Sequence, residues 1–266
     1  MWAYVSMFSA PKRGSKPSEC EDAAWIGPSG DRIGDVAERS IRMAVADGAT
    51  ESLLAGKWAR LLTTTFGTST AGVRSPTGFL STYRTATNDW TTEVERYVSD
   101  REERGLPIQW FEEPGLARGA FSTLIVFEVM KAVEGRRSWR AAALGDSCVF
   151  QVHADQIYRS FPITKADDFS NRPSLLPSRP VDDNLVLRHL KTCRGVWAPG
   201  DSFYLTTDAL AAWFLRTNDD GERPWEPLRD LGTVDFDLDF PDWVNLKRDQ
   251  GELKDDDTTL IRLDLY

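Results

Sequence analysis

The sequence predicts an α+β protein built as an α-β-β-α layered sandwich, in which two antiparallel sheets are flanked by helices. Apolar runs rich in β-branched and aromatic residues recur along the chain, which is typical of β-strands. Several of these runs lie only a few residues apart, which favours antiparallel neighbours. Two long amphipathic segments separate the early runs from the middle ones, and they predict helices that cover the sheets.

The predicted strands succeed one another along the whole chain. The early ones are WAYVSMF, DAAWIG and RSIRMAVAD, and the middle ones are Ala120–Met130, Ser138–Asp146 and Ser147–Asp155. Gly200–Asp208 and Thr258–Tyr266 come later. The connections EGRR and GDS between the middle strands are short, so we expect an antiparallel hairpin at each of them.

Three helices are expected between and after these strands. The first covers residues 51–66, ESLLAGKWARLLTTTF, and the second runs from Ser75 to Gly105 with Pro76 in its first turn. The third begins at Asp208 and ends near Leu215. The apolar residues at helical spacing in the first two are Leu54, Trp58, Leu61, Leu62, Phe79, Tyr83, Trp90, Val94 and Tyr97.

Two segments, residues 170–184 and 216–227, are rich in proline, glycine and polar residues, and we expect them to be irregular. Internal repeats and low-complexity tracts are absent from the sequence, and no shift in composition marks a boundary. We therefore expect residues 1–266 to form a single domain.

Charge and composition argue against several classes of function. Lys and Arg number 32 and Asp and Glu 41, a net charge of −9 that disfavours a nucleic acid or an anionic membrane as partner. No apolar run approaches the roughly 18 residues of a membrane span, and the N-terminal residues lack a signal-peptide pattern, so we expect a cytoplasmic protein. Three scattered cysteines and two histidines argue against a disulfide framework, a zinc knuckle and a histidine-based catalytic pair.

Common motifs of nucleotide and hydrolase sites are absent from the sequence. The chain has no G-x-x-x-x-G-K-[ST], G-x-G-x-x-G, H-E-x-x-H or G-x-S-x-G. A cysteine-based phosphatase needs an arginine six residues after its cysteine, and those positions hold Ile26, Ala154 and Pro199.

Acidic residues stand at the ends of many predicted strands. Asp47, Asp146 and Asp208 each close a strand, whereas two acidic groups, Glu21-Asp22 and Asp255-Asp256-Asp257, precede one. Any single one of them could form an Asx turn or a helix cap. Several carboxylates without thiols or imidazoles also suit a hard cation such as Mg²⁺ or Mn²⁺. These residues alone leave a divalent-metal site open beside turns and caps.

The ordered set of motifs resembles the metal-dependent serine/threonine protein phosphatases, the PPM or type 2C family. Six elements between residues 20 and 261 carry the resemblance, namely CEDA, VADGATES, GAFSTLIVF, LGDSC, LTTDAL and DDTTLI. Each element is weak alone, but their order over nearly the whole chain is specific. The DGATES form is similar to a bacterial branch of the family.

The resemblance implies a binuclear Mg²⁺ or Mn²⁺ site. In this assignment Asp47 bridges two ions and the carbonyl of Gly48 ligates one of them. Asp208 and Asp256 complete the shell of the second ion. Asp255 takes the place of Asp256 if the threonine of the family motif is aligned one residue earlier.

Further site residues are implied in the same way. Glu21 and Asp22 would hold water bound to the metal, and Asp146 would join Asp208 at a third, weaker metal position. Lys16 stands near the position of an arginine that holds phosphate in the family. The catalytic set implied is therefore Asp47, Asp208 and Lys16.

The implied activity is hydrolysis of phosphoserine or phosphothreonine on proteins by a hydroxide that bridges the two ions. A phosphorylated protein is the expected substrate, a cognate serine/threonine kinase is an expected partner, and a monomer is the expected state. Departures from the family pattern support one alternative, a catalytically weak or inactive binding and regulatory module. A phosphatase for a small phosphorylated molecule is a second alternative. The departing residues are Pro17, Ala49, Cys148 and Ala209.

Overall fold

The computed structural model describes residues 2–27, 32–33, 40–130, 132, 134–170, 172–231 and 238–266. Its strands are β1 (Ala3–Ala10), β2 (Ala23–Gly27), β3 (Arg32–Ile33), β4 (Ile41–Ala46), β5 (Phe121–Ser122), β6 (Leu124–Val129), β7 (Ser138–Leu144), β8 (Cys148–His153), β9 (Gln156–Phe161), β10 (Leu176–Pro177), β11 (Lys191–Val196), β12 (Ser202–Thr206) and β13 (Thr258–Leu265). Its α-helices are α1 (Ala55–Thr68), α2 (Pro76–Glu103), α3 (Glu113–Arg118), α4 (Asp183–His189), α5 (Asp208–Asp219), α6 (Trp225–Asp230) and α7 (Phe240–Asp249). Arg39, in a predicted strand, and Asn171, in a predicted irregular segment, lie outside the described residues.

Two large antiparallel sheets form the centre of the fold. One has six strands in the order β3-β1-β13-β12-β8-β9, and the other has five in the order β11-β7-β6-β4-β2. A two-stranded pair, β10-β5, lies apart from both. Every strand pairing within the described ranges is antiparallel, which confirms the predicted sheet type.

The two large sheets pack face to face around an apolar core. Met43 and Phe127 of the five-stranded sheet lie in one buried cluster with Phe203 and Ile261 of the six-stranded sheet. The ring centroids of Phe127 and Phe203 are 4.9 Å apart, a close contact between side chains of opposite sheets. Burial of apolar surface contributes roughly 25 cal/mol per Å², so this interface is a main source of stability.

Helices cover the outer faces of both sheets. On the five-stranded sheet, α1 and α2 bury Trp58 and Phe79 against Ala44 and neighbouring strand residues. On the six-stranded sheet, α5, α6 and α7 bury an aromatic layer in which Phe214 stacks on Phe150 at 4.3 Å between centroids. The α-β-β-α order of layers predicted from the sequence is therefore confirmed. None of the described helices is long and apolar enough to cross a membrane.

Four helix boundaries differ from the predictions. α1 begins at Ala55 instead of residue 51, because the preceding residues form turns and Leu54 adopts a left-handed φ of 66°. α5 continues to Asp219, and α6 begins at Trp225, so both ends of the segment 216–227 are helical rather than irregular. In the segment 170–184, the two residues of β10 are extended and α4 begins at Asp183.

One of the two predicted hairpins is wrong, and the error bears on function. EGRR joins the neighbouring strands β6 and β7, as expected. GDS does not form a hairpin, because β7 belongs to the five-stranded sheet and β8 to the six-stranded sheet. At this crossing Gly145 has a φ of 110°, and a Cβ there would lie 2.6 Å from the side chain of Thr123. Glycine therefore permits both the turn and the close approach.

Candidate metal centre

Two acidic residues leave the five-stranded sheet side by side. β2 pairs with β4, and Ala23 is opposite Ala46. Asp22 immediately precedes β2 and Asp47 immediately follows β4, so the antiparallel register brings them to the same sheet edge. Asp22 is buried.

Acidic residues of the six-stranded sheet meet at the corresponding edge. β12 pairs with β13, and Thr206 is opposite Leu260. Asp208 follows β12 and Asp256 precedes β13, so both lie beyond this end of the pair. The hydroxyl of Thr207 donates to Oδ2 of Asp22 at 2.9 Å, which links the acidic edges of the two sheets.

The connection between the sheets supplies a further carboxylate. Asp146 lies in the crossing from β7 to β8 and is 4 % exposed. The resemblance pointed to this residue through the motif LGDSC, but its place in a sheet-to-sheet crossing was not predicted.

Hydroxyl side chains hold the backbone of Asp47 in place. The N–H of Asp47 donates to Oγ1 of Thr123 at 3.1 Å, and the N–H of Thr123 donates to the carbonyl of Asp47 at 2.8 Å. The Ser122 hydroxyl donates to the same carbonyl, also at 2.8 Å. Thr123 in turn shares a 2.8 Å hydrogen bond with Ser147. No role was predicted for these residues. The adjacent hydroxyls of Ser122 and Thr123 in GAFSTLIVF could have indicated that they hold a neighbouring backbone segment.

Gly48 is required by close packing of the backbone. A Cβ at this position would lie 2.8 Å from the carbonyl carbon of Ala55 and 2.8 Å from the carbonyl oxygen of Glu21. Gly48 also forms an isolated bridge with Ser122. Any side chain here would separate Asp47 from the segment that carries Glu21 and Asp22.

Burial and mutual repulsion perturb the carboxyls of this cluster. Burial, and then the charges of Asp22 and Asp208, hold the pKa of Asp47 well above its usual range. Burial and the negative charges nearby also hold the pKa of Asp22 well above its usual range. Burial, and then the charge of Asp208, raise the pKa of Asp146 to about 7. Carboxyls that are held close together although burial and repulsion raise their pKa values are characteristic of functional sites.

A lysine of the chain lies among these acids. The Nζ atom of Lys254 is 2.7 Å from Oδ2 of Asp256 and 3.7 Å from Oδ2 of Asp208. Although burial opposes it, the hydrogen bond with Asp256 and the charges of Asp208, Asp256 and Asp47 raise the pKa of Lys254. The pKa of Asp208 is nevertheless raised, because burial outweighs the attraction of Lys254.

The three consecutive aspartates have three different surroundings. Asp255 accepts a hydrogen bond from the backbone of Arg13 at 3.0 Å in an exposed position. Asp256 lines the same cavity as Asp47 and Asp208. Asp257 is buried, and its two oxygens accept from the backbone N–H groups of Lys12 and Glu21, each at 2.7 Å. Of the two alternatives left open by the sequence, the cavity contains Asp256.

The lysine beside Glu21 is not the one expected. Nζ of Lys12 is 3.1 Å from Oε2 of Glu21 and 3.3 Å from the hydroxyl of Thr50. Lys16 is exposed at the start of a short 3-10 helix, and no side-chain contact with the acidic cluster is found for it among the described residues. Its catalytic role stays a prediction, and Lys12 is the lysine that contacts Glu21.

These acidic side chains border a cavity of about 530 Å³. Asp47, Asp208 and Asp256 lie on one side of it together with Lys254. Residues 49–51, directly after the Asp-Gly pair, complete the wall with Arg172 and its neighbours. The cavity is wide enough for a phosphorylated side chain, since ligand pockets begin at roughly 300 Å³.

The donor atoms fit a hard divalent cation. The buried Oδ1 atoms of Asp22 and Asp146 have no hydrogen-bond partner, which is costly unless something else satisfies them. Carboxylate oxygens are the ligands that Mg²⁺ and Mn²⁺ prefer. Within the part of the chain that the structure describes, no three His, Cys, Asp or Glu side chains converge on one point as they stand. Binding an ion would therefore require Asp208 and Asp256 to turn away from Lys254.

Comparisons with known proteins identify the family and the fold of this chain. The sequence profile of the family described as Protein phosphatase 2C matches residues 18–235. No curated protein sequence matches the chain. Among solved structures, the serine/threonine phosphatase PstP/Ppp of Mycobacterium tuberculosis is similar over 100 % of this chain and 99 % of its own, with a TM-score of 0.55 and 13 % identity.

Two further solved structures share the fold. The serine/threonine phosphatase of S. agalactiae is 12 % identical, with a TM-score of 0.58 over 99 % of this chain and 100 % of its own. RsbX in complex with magnesium is 15 % identical, with a TM-score of 0.52 over 100 % of this chain and 96 % of its own. At such identities the likeness establishes the fold alone.

Proposed function

Because this chain belongs to the protein phosphatase 2C family, we propose that it is a metal-dependent phosphatase that hydrolyses phosphoserine and phosphothreonine on proteins. One observation carries the proposal. Buried carboxyls from both sheets and from the crossing between them meet at one edge, and their pKa values are raised by burial and by one another. A cluster of that kind suits divalent cations better than any other ligand.

We assign the ions to the carboxylates of Asp47, Asp208 and Asp256, with Mg²⁺ or Mn²⁺ as the metal. Two bound ions would supply an activated water as the nucleophile and neutralise charge on the phosphoryl oxygens. The magnesium complex of RsbX supports the choice of metal. Asp146 and Asp208 are the candidates for a third, weaker position.

The remaining residues of the site have positioning roles in this proposal. Thr123 and Ser122 fix the backbone of Asp47, and Thr207 orients Asp22. Lys12 balances the charge of Glu21 at the edge of the cavity and is a candidate to contact phosphate as a cation. No side chain has to act as a nucleophile, which is consistent with the few histidines and cysteines of the chain.

A second candidate function rests on Lys254. Its ion pair with Asp256 holds a proposed ligand in the absence of metal, as would suit a weak or inactive relative that acts by binding. Purified protein would be assayed on p-nitrophenyl phosphate, on a phosphothreonine peptide and on small phosphorylated metabolites, with and without Mn²⁺. The phosphatase proposal expects metal-dependent hydrolysis of the peptide that Asp47→Ala and Asp208→Ala abolish.

Asp255→Ala is the matched control, since it removes a neighbouring carboxylate that is exposed and lies outside the cavity. Hydrolysis that is absent with Mn²⁺, or unchanged in the two active-site variants, would support the binding module instead. Faster turnover of the metabolites than of the peptide would redirect the proposal to a small substrate. A cytoplasmic location, a monomeric state and a cognate serine/threonine kinase complete the proposal.

A further inference from the structure

A second cavity, of about 280 Å³, adjoins the one that contains the carboxylate cluster. The two share Ser170, Arg172 and Pro173, so they are separated only by this short stretch of wall. Buried Asp146 lies at the inner end of the second cavity. A ligand bound in one cavity therefore lies next to the other cavity.

The mouth of the second cavity is basic. Arg172, Arg188 and Lys191 line it and are exposed, and His189 lies beside them. Asp168 and Asp146 are the acidic residues in its lining. The carboxylate cavity has the opposite balance, with four acidic residues against Arg172 and Lys254.

Secondary structure holds two of these cations, Arg188 and Lys191, in position. Arg188 and His189 end α4, and Lys191 begins β11 directly afterwards. Lys191 pairs with Ala143 of β7, two residues before the chain turns away at Gly145. The ring Nδ1 of His189 shares a 2.9 Å hydrogen bond with the hydroxyl of Ser174, which links the end of α4 to another residue in the lining of the second cavity.

Among the residues that the structure describes, no ion pair is found for Arg172, Arg188 or Lys191. The chain as a whole has 41 acidic residues against 32 basic ones. The lining of this cleft thus carries three exposed cations against two acidic residues, a local excess of positive charge in a protein that is acidic as a whole, and such an excess favours anions.

We propose that this basic cleft binds an anionic side chain of the substrate, near in sequence to the residue that is dephosphorylated. The inference rests on the proposed function, because it assumes that a phosphorylated side chain enters the carboxylate cavity. An extended peptide advances about 3.3–3.6 Å per residue, so a neighbouring cavity is reached by a side chain a few positions away. Arginine and lysine bind carboxylate and phosphate by charge-assisted hydrogen bonds, so either group suits the cleft.

The test compares phosphothreonine peptides that differ in one residue. A series carries a single Asp at each of the three positions on either side of phosphothreonine, with Asn at the same place as the neutral reference. A further peptide carries a second phosphoserine at the best position, which distinguishes a carboxylate from a phosphate. We expect one position to give about a tenfold higher kcat/KM than its Asn reference.

In the double variant Arg188→Gln, Lys191→Gln, the kcat/KM of the Asp peptide should lie within about twofold of that of its Asn reference. The ratio is taken within each variant, so a change in overall turnover does not affect it. Arg74→Gln, Arg104→Gln is the matched control, because it removes two exposed positive charges near the ends of α2 that line neither cavity. In this control, the ratio of kcat/KM between the Asp and Asn peptides should equal the ratio in the unmodified protein.

Binding of the same peptides with a non-hydrolysable phosphonate, followed by fluorescence anisotropy, separates this inference from the proposed function. A binding preference that the double variant abolishes supports the cleft even if no peptide is hydrolysed. Hydrolysis with no preference for an anion at any position, or a preference that survives the double variant, overturns the cleft and leaves the phosphatase proposal intact.

Discussion

Lys254 and Asp256 form an ion pair across the proposed metal site, with 2.7 Å between Nζ and Oδ2. The same ammonium lies 3.7 Å from Asp208, so one positive charge is shared between two proposed ligands. A divalent ion needs those oxygens as well. The chain therefore contains its own competitor for the metal.

Replacing Lys254 by Met should tighten the binding of Mn²⁺. The side chain of Lys254 is 58 % exposed, so the ion pair contributes little and the gain in affinity should be about two- to fivefold. Isothermal titration calorimetry measures it directly. Lys165→Met is the control, since Lys165 is exposed and lines neither cavity. Equal or weaker binding in the Lys254 variant would contradict the competition.

The three consecutive aspartates should respond differently to alanine substitution. Asp257→Ala leaves two partly buried N–H groups without their acceptor and removes a buried carboxylate, so it should lower the free energy of unfolding by about 2–4 kcal/mol. Asp255→Ala should cost less, about 1 kcal/mol, because Asp255 is exposed and loses one hydrogen bond from Arg13 and a 3.6 Å ion pair with Arg248. Asp256→Ala should weaken Mn²⁺ binding without destabilising the metal-free protein. Urea unfolding and metal titration measure both quantities, and equal effects at all three positions would refute these assignments.

The metal-free protein should lose stability as the pH rises. The pKa of Asp146 is about 7 in the folded protein, and those of Asp22 and Asp47 are also raised, whereas an unfolded aspartate titrates near 4. Between these values the folded state holds more protons than the unfolded state, so its stability falls with increasing pH. In EDTA, the free energy of unfolding should decrease between about pH 4 and about pH 7, the interval set by Asp146, by up to about 1.4 kcal/mol per pH unit for each titrating carboxyl.

Asp146→Asn should reduce the slope of that pH dependence, because it removes one of the titrating groups. Saturating Mn²⁺ should suppress the slope as well, since an ion favours the ionised carboxylates. A stability that rises over this interval in EDTA would show that the carboxyls are ionised without cost in the folded protein.

Gly48→Ala should be more harmful than a glycine substitution in open space. Its Cβ would meet backbone atoms at 2.8 Å, and overpacking of this kind costs about 1–3 kcal/mol. Gly221→Ala is the comparison, because nothing lies within 4 Å there and only its positive φ of 84° opposes the change. Thermal unfolding gives the stability of each variant. The Gly48 variant alone should also bind Mn²⁺ more weakly, since Asp47 would move.

The layers of the fold could be predicted because periodicity and composition are local properties. Whether two consecutive strands share a sheet is not local, so the short connection at Asp146 predicted a hairpin where the chain changes sheets. α7 also escaped prediction, although the side chain of Asp239 caps its first turn by accepting from the N–H of Asp242. A cap followed by proline is a usable signal for such a helix.

The acidic site could be predicted from strand ends and motif order, but the residues that contact each acid could not. Asp255, Asp256 and Asp257 are chemically identical, and only tertiary contacts give them separate roles. Lys12 and Lys16 differ in sequence position by four residues, and which of them reaches Glu21 depends on the turn between them. These differences arise from tertiary contacts, which local sequence patterns do not reveal.

The acidic residues come from both halves of the sandwich, Asp22 and Asp47 from one sheet and Asp208 and Asp256 from the other. An ion held by both pairs would act as a cross-link between two layers that otherwise adhere through apolar side chains. Metal should then increase the cooperativity of unfolding, because the two sheets could not separate without breaking the metal ligation. The proposed hydrolysis should be lost in the same transition that separates the sheets.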